Sequence, residues 1–483
     1  MTDQRNSSVL VMDLDGTLVR SDTTHELLIL CMRWAPLMVP FVAFGLIFNR
    51  AATKRWLSER FGEHIDPAFL PYDAEALSLM KAHQESGGQI WLVSGSDHIL
   101  VERIAGHVGG FDRYQGSSPG ENLTSRRKAS FLEQELEDFH YAGNSRQDFE
   151  VWKRSKSGYA FRAPGASKRL KNADGKPVSL VEVVPKSGML GPLLKNLRLH
   201  QWAKNILIFA TPALLFTTLT PADGVRLLLA FFSFGFMASG TYILNDLFDI
   251  QDDRRHKTKK FRPLADGRLS VPAALLAMFT LLAASVAGAW IVGPGFTVVL
   301  LIYAFVTITY SFRLKRIPIV DVFILAGLFT IRVWAGGVVL GVPTSAWFIM
   351  FVGLVFLSLA LAKRFVEIQK STSRKIAGRG YRHEDAPFVL AFGAGTGAVA
   401  VLTLAIYGLL APNRLIDNPG IVLAVAAIIG AWFMRIWLIA SRGELNDDPV
   451  LFAVKDRVSL ACLAIVGGCF LVESGKSIWM NWL

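Results

Sequence analysis

The sequence predicts a multidomain protein, an N-terminal α/β domain with a helical cap followed by a C-terminal all-α membrane bundle of nine transmembrane helices. Three observations carry that prediction. Of 483 residues, 52% are hydrophobic, more than a soluble chain usually holds, and the excess lies almost wholly after residue 200. The Lys and Arg behind a formal net charge of +12 concentrate in a linker and in alternate loops between apolar segments. The N-terminal part opens on a short β-rich run, Val9 to Met12, that stops at an aspartate. The expected division is residues 1–155, a basic linker over 156–189, and a membrane domain over 190–483.

The first strand runs into Asp13-Leu14-Asp15. In a strand and the loop after it these two aspartates point the same way, at the carboxyl end where α/β sheets build their sites. One carboxylate can then attack a phosphorus while the other handles protons. A second strand, Gln89 to Val93, ends in Ser94-Gly95-Ser96-Asp97; Lys128 opens a helical stretch, and Tyr141 to Asp148 reads YAGNSRQD. These four motifs, in this order, resemble the haloacid dehalogenase (HAD) phosphatase superfamily over about residues 8–155. The resemblance implies a HAD-like Rossmannoid fold with Asp13 as nucleophile, Asp15 as general acid and base, Ser94 as a ligand of the phosphoryl oxygens and Lys128 as the charge-neutralising base. It also implies Mg2+ held by Asp13, Asp15, Asn144 and Asp148. Asn144 departs from the pattern, since the superfamily usually has an aspartate there. Leu27 to Phe48 is apolar, but its uninterrupted core is shorter than the ~20 residues of a span, and it contains Pro36 and Pro40. Asp13 and Ser94 must also meet on one side of any membrane, so the stretch is expected to be a helical cap that reaches the membrane surface.

From Lys153 to Lys186 the chain turns basic and rich in Gly, Ser and Pro, the composition of a solvated linker. Leu190 to Trp202 suits an interfacial helix. Nine apolar segments follow, at about Asn205 to Leu219, Val225 to Leu244, Ala273 to Ile291, Phe296 to Tyr310, Ile319 to Leu340, Ala346 to Leu361, Phe388 to Leu410, Ile421 to Ala440 and Ser459 to Trp482. The loops after the second, fourth, sixth and eighth segments carry nearly all the Lys and Arg; the intervening loops hold essentially Arg414 alone. That alternation implies a multi-pass protein of the plasma or inner membrane with its N-terminal domain cytoplasmic. It also favours membrane lipid and phosphate substrates as partners, with no nucleic acid. The three cysteines, Cys31, Cys462 and Cys469, show no metal-binding or disulfide spacing.

The second apolar segment ends in NDLFDIQDD, Asn245 to Asp253, followed by a basic run to Pro263. On a continuous helix Asn245, Asp249 and Asp253 stack at i, i+4 and i+8, with Asp246 beside them. Oxygen ligands so placed repel unless a cation lies between them, and with phosphate partners they suit Mg2+; the bland alternative is a solvated acidic helix end. After the fourth segment comes YSFRLKRIPIVDV, with Lys315 and Asp321, and eleven positions later Arg332. An Asp and an Arg within an apolar helix pair with each other or face a polar cavity, and the sequence leaves both open.

These two loops resemble the signatures of the UbiA superfamily of intramembrane prenyltransferases, over about residues 190–483. The resemblance implies nine transmembrane helices, with Mg2+ and diphosphate on Asn245, Asp246, Asp249 and Asp253, and with Asp249 and Asp321 catalytic. Many members have a second aspartate pair where this chain has Leu325. Together with LRLHQWAKN (Leu197 to Asn205), RPLADG (Arg262 to Gly267) and Arg332, that departure is more similar to the branch that transfers phosphoribose from phosphoribosyl diphosphate to a polyprenyl phosphate. Lys204, Lys259, Lys260, Arg262, Lys315, Arg332, Lys363 and Arg364 are the expected phosphate-binding cations, since a reaction of two anions needs positive charge. The fused phosphatase-like domain would remove the 5-phosphate from the product. Prenyl transfer from a polyprenyl diphosphate to an aromatic acceptor is the alternative within the superfamily, and a transporter or lipid-binding scaffold the alternative outside it.

Overall fold

The computed structural model describes residues 8–163, 170, 178–184, 188–214, 219–371, 379–410, 418–445 and 449–480. Parts of the expected linker and the basic residues Arg374, Lys375 and Arg414 lie outside the described residues. The chain forms two compact units, one of residues 1–198 with 242–279, the other of 199–241 with 280–483.

The first unit is built on a six-stranded, all-parallel sheet of order β3-β2-β1-β4-β5-β6. Its strands are β1 (Val9–Met12), β2 (Gln89–Asp97), β3 (Arg113–Ser117), β4 (Phe139–Gly143), β5 (Ser157–Phe161) and β6 (Leu180–Val184). Parallel pairing requires crossovers that cover both faces, so both sets of alternating side chains are buried. Leu10 and Met12 enter one core with Ile90 and Leu92, while Val9 and Val11 enter the other with Trp91, Val93 and Tyr141. Because β2 and β4 flank β1 on opposite sides, the carboxyl end of β1 is the point where strand order reverses and a crevice opens.

The described part of the expected linker differs from the sequence reading. SGYAF and LVEVV are β5 and β6, extending the sheet to its edge. Alternating apolar positions in a five-residue strand are overridden, in composition, by the Lys, Gly and Ser around them.

Between β1 and β2 the expected cap is present as α1 (Thr23–Trp34), α2 (Val39–Phe48), α3 (Arg50–Phe61) and α4 (Ala74–Glu85). Asp22 caps α1 by accepting from the His25 N–H at 2.9 Å, and Pro36 lies in the break before α2. After β2 come α5 (His98–Val108), α6 (Arg126–Glu135) and α7 (Phe149–Trp152). Beyond the sheet lie α8 (Leu190–Leu197) and the short α9 (Ala210–Ala213).

Among the described residues, seven helices are long and apolar enough to cross a membrane. They are α10 (Pro221–Phe248), α12 (Val271–Val292), α13 (Pro294–Phe312), α14 (Val320–Leu340), α15 (Ala346–Lys370), α16 (Ala386–Leu410) and α17 (Pro419–Ser441), with the short α11 (Ile250–Arg255) between the first two. Each matches an expected segment to within a few residues, except that α15 runs on to Lys370 and so takes Lys363 and Arg364 out of the expected loop. Two of the nine expected spans, the first and the last, are not among these seven, and residues 215–218 of the first lie outside the described residues. Leu199–Phe209 is a 3₁₀ run leading into α9, where Pro212 removes a backbone donor and Asn205 is drawn into a side-chain hydrogen bond with Arg332. The last segment is helical as α19 (Arg457–Met480), after α18 (Pro449–Lys455).

Candidate active site

β1 delivers Asp13, whose N–H donates to the Ala142 carbonyl at 3.0 Å and so carries the pairing with β4 one residue past the strand. The next turn needs glycine. Gly16 has φ +73, a left-handed conformation open to glycine, and a Cβ there would strike the Asn144 side chain. From the first turn of α6, Lys128 Nζ donates to Asp13 Oδ1 at 2.9 Å and to Tyr141 Oη at 3.0 Å. Tyr141 in turn donates to Asp148 Oδ1 at 2.6 Å.

Burial of Lys128 would by itself lower its pKa, but the charges of Asp13 and Asp148 outweigh it and hold the ammonium above its ordinary value. Burial pushes Asp13 up to about 6 against the pull of Lys128. Asp15 is pushed up to about 7 by burial, with the Asp22 charge adding to it; its oxygens accept from the Thr23 N–H at 2.7 Å and from the Ser96 hydroxyl. Burial raises both carboxyls, and the Lys128 charge draws Asp13 back toward ionisation while Asp15 has no such cation in hydrogen-bond contact, which suits a nucleophile beside an acid and base. Ser94 is buried with its Oγ accepting from the Ser96 N–H at 3.1 Å. It lines one cavity of 440 Å³ with Asp13, Asp15, Lys128, Asn144 and Asp148.

Asp148, expected to hold the metal site or Lys128, lies 3.9 Å from Lys128 Nζ and is hydrogen-bonded on both carboxylate oxygens. It accepts from Tyr141 on Oδ1, and on Oδ2 from the Asn144 and Ser145 N–H groups at 3.1 and 2.9 Å and the Ser145 hydroxyl at 3.0 Å. It anchors the Asn144 turn and, through Tyr141, Lys128. Two carboxylates and the Asn144 amide remain, a hard-oxygen donor set that fits Mg2+.

The acidic stretch does not stack on one uninterrupted helix. α10 ends at Phe248 and Asp249 caps α11 with φ −96 and ψ 8. The residues fall into two pairs. Asn245 Nδ2 donates to Asp249 Oδ2 at 3.0 Å. Arg262 Nη1 bridges Asp246 at 3.0 Å and Asp253 at 2.6 Å, and Arg198 holds Asp246 at 2.5 Å. Burial pushes Asp253 up to about 6 against the Arg262 charge. Of the expected cations here, Arg262 touches the carboxylates, while Lys259 and Lys260 are exposed. The stretch thus carries three aspartates and an asparagine, residue types that suit a hard divalent cation, in two separate pairs. Among the described residues no three His, Cys, Asp or Glu side chains converge in metal-binding geometry.

How this stretch is held was not anticipated from its own residues. Arg254 donates to Glu26 of α1 through Nη2 at 2.6 Å and Nη1 at 2.8 Å, and through Nε to the Ala265 carbonyl at 2.8 Å. Gln251 also donates to Glu26, at 2.7 Å. Gly267, with φ +76, lies so close to Arg20 that a Cβ would come within 2.7 Å of its Cβ. The available signal was Glu26 itself, an acid inside the apolar run of α1.

In the second unit Asp321 and Arg332 do not pair with each other. Asp321 is wholly buried in the first turn of α14; Arg364 lies 3.1 Å from its Oδ2 and Tyr381 donates to its Oδ1 at 2.7 Å. Arg364, expected to bind substrate phosphate, is thus the buried counter-ion of Asp321. Tyr381 also accepts the N–H of Ile319 at 2.8 Å, fixing that residue at φ +69, a costly conformation for a β-branched side chain. Arg332 donates to Asn205 at 3.0 Å and Tyr303 at 2.8 Å and lies over the Tyr303 ring. Lys204 lies over the Phe329 ring at 5.6 Å. Lys315 lends its carbonyl to Arg379 at 3.3 Å, and Lys363 is half-buried on α15.

Comparison with known proteins matches residues 206–455 to the model of the UbiA prenyltransferase family and residues 10–153 to that of haloacid dehalogenase-like hydrolases. The chain is 35% identical over 470 residues to the uncharacterized protein y4nM of Sinorhizobium fredii, covering 96% of this chain and 90% of that one. It is 31% identical over 292 residues to the decaprenyl-phosphate phosphoribosyltransferase of Mycobacterium tuberculosis, covering 59% of this chain and 95% of the relative. The nodulation protein NoeC of Azorhizobium caulinodans is 30% identical over 272 residues, 55% of this chain and 88% of that protein.

Proposed function

The chain belongs to the UbiA prenyltransferase family, with an N-terminal HAD-like domain, and from that premise we propose that it transfers 5-phosphoribose from phosphoribosyl diphosphate to a polyprenyl phosphate and then removes the 5-phosphate. The observation that carries the reading is the likeness of its membrane part to a decaprenyl-phosphate phosphoribosyltransferase along nearly that relative's whole length. Leu325, in place of a second aspartate pair, agrees with a sugar donor.

In the transfer step a lipid phosphate oxygen forms a bond to the ribose anomeric carbon as the bond from that carbon to the diphosphate breaks. Asn245, Asp246, Asp249 and Asp253 would hold Mg2+, which when bound supplies charge neutralisation to the departing diphosphate. Arg198 and Arg262, already on Asp246, stand ready to grip the phosphates. In the second step the Asp13 carboxylate attacks the phosphorus of the 5-phosphate. Asp15 gives its proton to the departing ribose oxygen, then takes one from the water that hydrolyses the aspartyl-phosphate. Lys128 balances the charge on Asp13 and the transferring phosphoryl group, and Asp13, Asp15 and Asn144 would hold the Mg2+ of this site. The basic loops support a cytoplasmic HAD-like domain.

Membranes containing the full chain should convert polyprenyl phosphate and phosphoribosyl diphosphate to a lipid-linked sugar, and an allylic polyprenyl diphosphate should not compete as donor. Transfer of the prenyl group from that diphosphate to an aromatic acceptor, with none from phosphoribosyl diphosphate, would overturn the donor assignment.

A further inference from the structure

The cavity that holds Asp13, Asp15, Lys128 and Ser94 has a far wall that the HAD-like domain does not supply. Ile250, Leu264, Leu269, Val271 and Pro272 line it. All five come from α11, from the start of α12, or from the loop between them, hence from the segment joining two membrane-length helices. The wall is fixed in place by the buried Arg254–Glu26 pair, by the Arg254 bond to the Ala265 carbonyl, and by the close approach of Gly267 to Arg20.

The cap continues the same character. Leu28 and Leu46 also line the cavity, while α2 turns Phe41, Phe44, Ile47 and Phe48 outward, each more than three-fifths exposed. Just before α2, Arg33 donates to the carbonyl of Phe248, the last residue of α10, at 2.5 Å. The apolar face of the cap thus begins a few residues from the end of a membrane-length helix. The cavity lining thus joins the reactive groups of the HAD-like domain to apolar side chains that continue onto the first turn of α12, with Arg20, Ser21, Lys54 and Ser270 among its polar residues.

We propose that this cavity selects phosphomonoesters carried on an apolar, membrane-held group, with the phosphate at Asp13 and the apolar group along Leu264, Leu269 and Pro272. The proposal rests on the phosphatase reading above and names the substrate class of that site. A small soluble phosphomonoester leaves the apolar wall unused, whereas each methylene buried against it gains about 4-fold in binding.

The test uses the full chain in lipid nanodiscs, with dodecyl phosphate below its micellar concentration and phenyl phosphate as the soluble comparison. Hydrolysis is read as phosphate release by the unaltered protein, and binding by calorimetry on Asp13→Asn. Pro272→Asp places a charge on the wall at an exposed helix N-terminus, where an aspartate is tolerated, and Pro272→Ala is its control. Dodecyl phosphate should be preferred at least about 30-fold over phenyl phosphate, and Pro272→Asp should cut that preference about 10-fold, while Pro272→Ala cuts it no more than about 2-fold. Partition into the bilayer raises dodecyl phosphate equally for all variants, so the comparison of the two substitutions isolates the wall. Hydrolysis without preference, or equal loss on both substrates, overturns the selectivity and leaves the phosphatase reading standing. Preferential binding without hydrolysis supports the selectivity and removes the phosphatase reading; neither binding preference nor hydrolysis removes both.

Discussion

Replacing Arg254 with methionine removes the cation from Glu26 and leaves it neutral hydrogen-bond partners, Gln251 at 2.7 Å among them. Both side chains of the pair are at most 3% exposed, and the guanidinium makes two bonds of 2.6 and 2.8 Å to Glu26. Breaking a buried pair by removing one partner costs roughly 3–5 kcal/mol, because the remaining charge is left in low dielectric, whereas removing both charges is often nearly neutral. At 1.4 kcal/mol per decade, opening of α1 and of residues 250–269 should become roughly 10² to 4 × 10³-fold more favourable. Hydrogen exchange on the full chain reads this directly, with Glu26→Gln added to Arg254→Met recovering most of the protection. A loss below about 1 kcal/mol, or a double variant no better than the single, would show that the pair does not hold these segments together.

The same pair fixes a pH dependence. Burial tends to raise the Glu26 pKa, but the Arg254 charge and hydrogen bonds outweigh it and hold the carboxyl below its ordinary value. A lowered folded-state value means that its stabilisation is complete above the unfolded value and is lost as pH falls through the folded one. Protection of α1 should therefore be flat from neutral pH to about 5 and decline below about 4.

Further outcomes follow from single side chains. Asp13→Asn should lower phosphate release by at least about 10³-fold with the cavity intact, as loss of a nucleophile does; a residual rate near that of the unaltered protein would exclude Asp13 as nucleophile. Asn144→Asp adds a charge to the metal-binding oxygens and should lower the Mg2+ concentration for half-maximal hydrolysis about 10-fold, since ligand charge sets affinity. Arg364→Met leaves Asp321 buried and uncompensated and should destabilise the membrane domain by roughly 3–5 kcal/mol, with Asp321→Asn in the same chain restoring much of it; thermal unfolding in detergent measures both. Asp249→Ala should abolish transfer while sparing hydrolysis of phenyl phosphate, and full transfer activity would count against the acidic stretch as the diphosphate site.

What the sequence made legible was local. The strand ending in Asp13 and Asp15, the order of Ser94, Lys128 and Asn144, and the apolar lengths of α10 and α12 to α17 each depend on neighbours a few positions apart. Pairings across long separations were not legible: Glu26 with Arg254 spans 228 positions, and Asp321 with Arg364 lies between two helices that a sequence reads separately. Arg364 counted as a loop cation because basic residues flank spans for topological reasons; only packing of α14 on α15 makes it a counter-ion. The edge strands β5 and β6 were hidden by basic, glycine-rich surroundings, and the 3₁₀ run over Leu199–Phe209 lies in a stretch whose apolar composition reads as regular helix.

The most direct measurement of the consecutive reaction is the mass of the lipid product formed from polyprenyl phosphate and phosphoribosyl diphosphate by the unaltered protein and by Asp13→Asn in the same membranes. The unaltered protein should yield a ribosyl lipid without the 5-phosphate, and Asp13→Asn the same lipid heavier by one phosphate. Identical masses from the two proteins would contradict it.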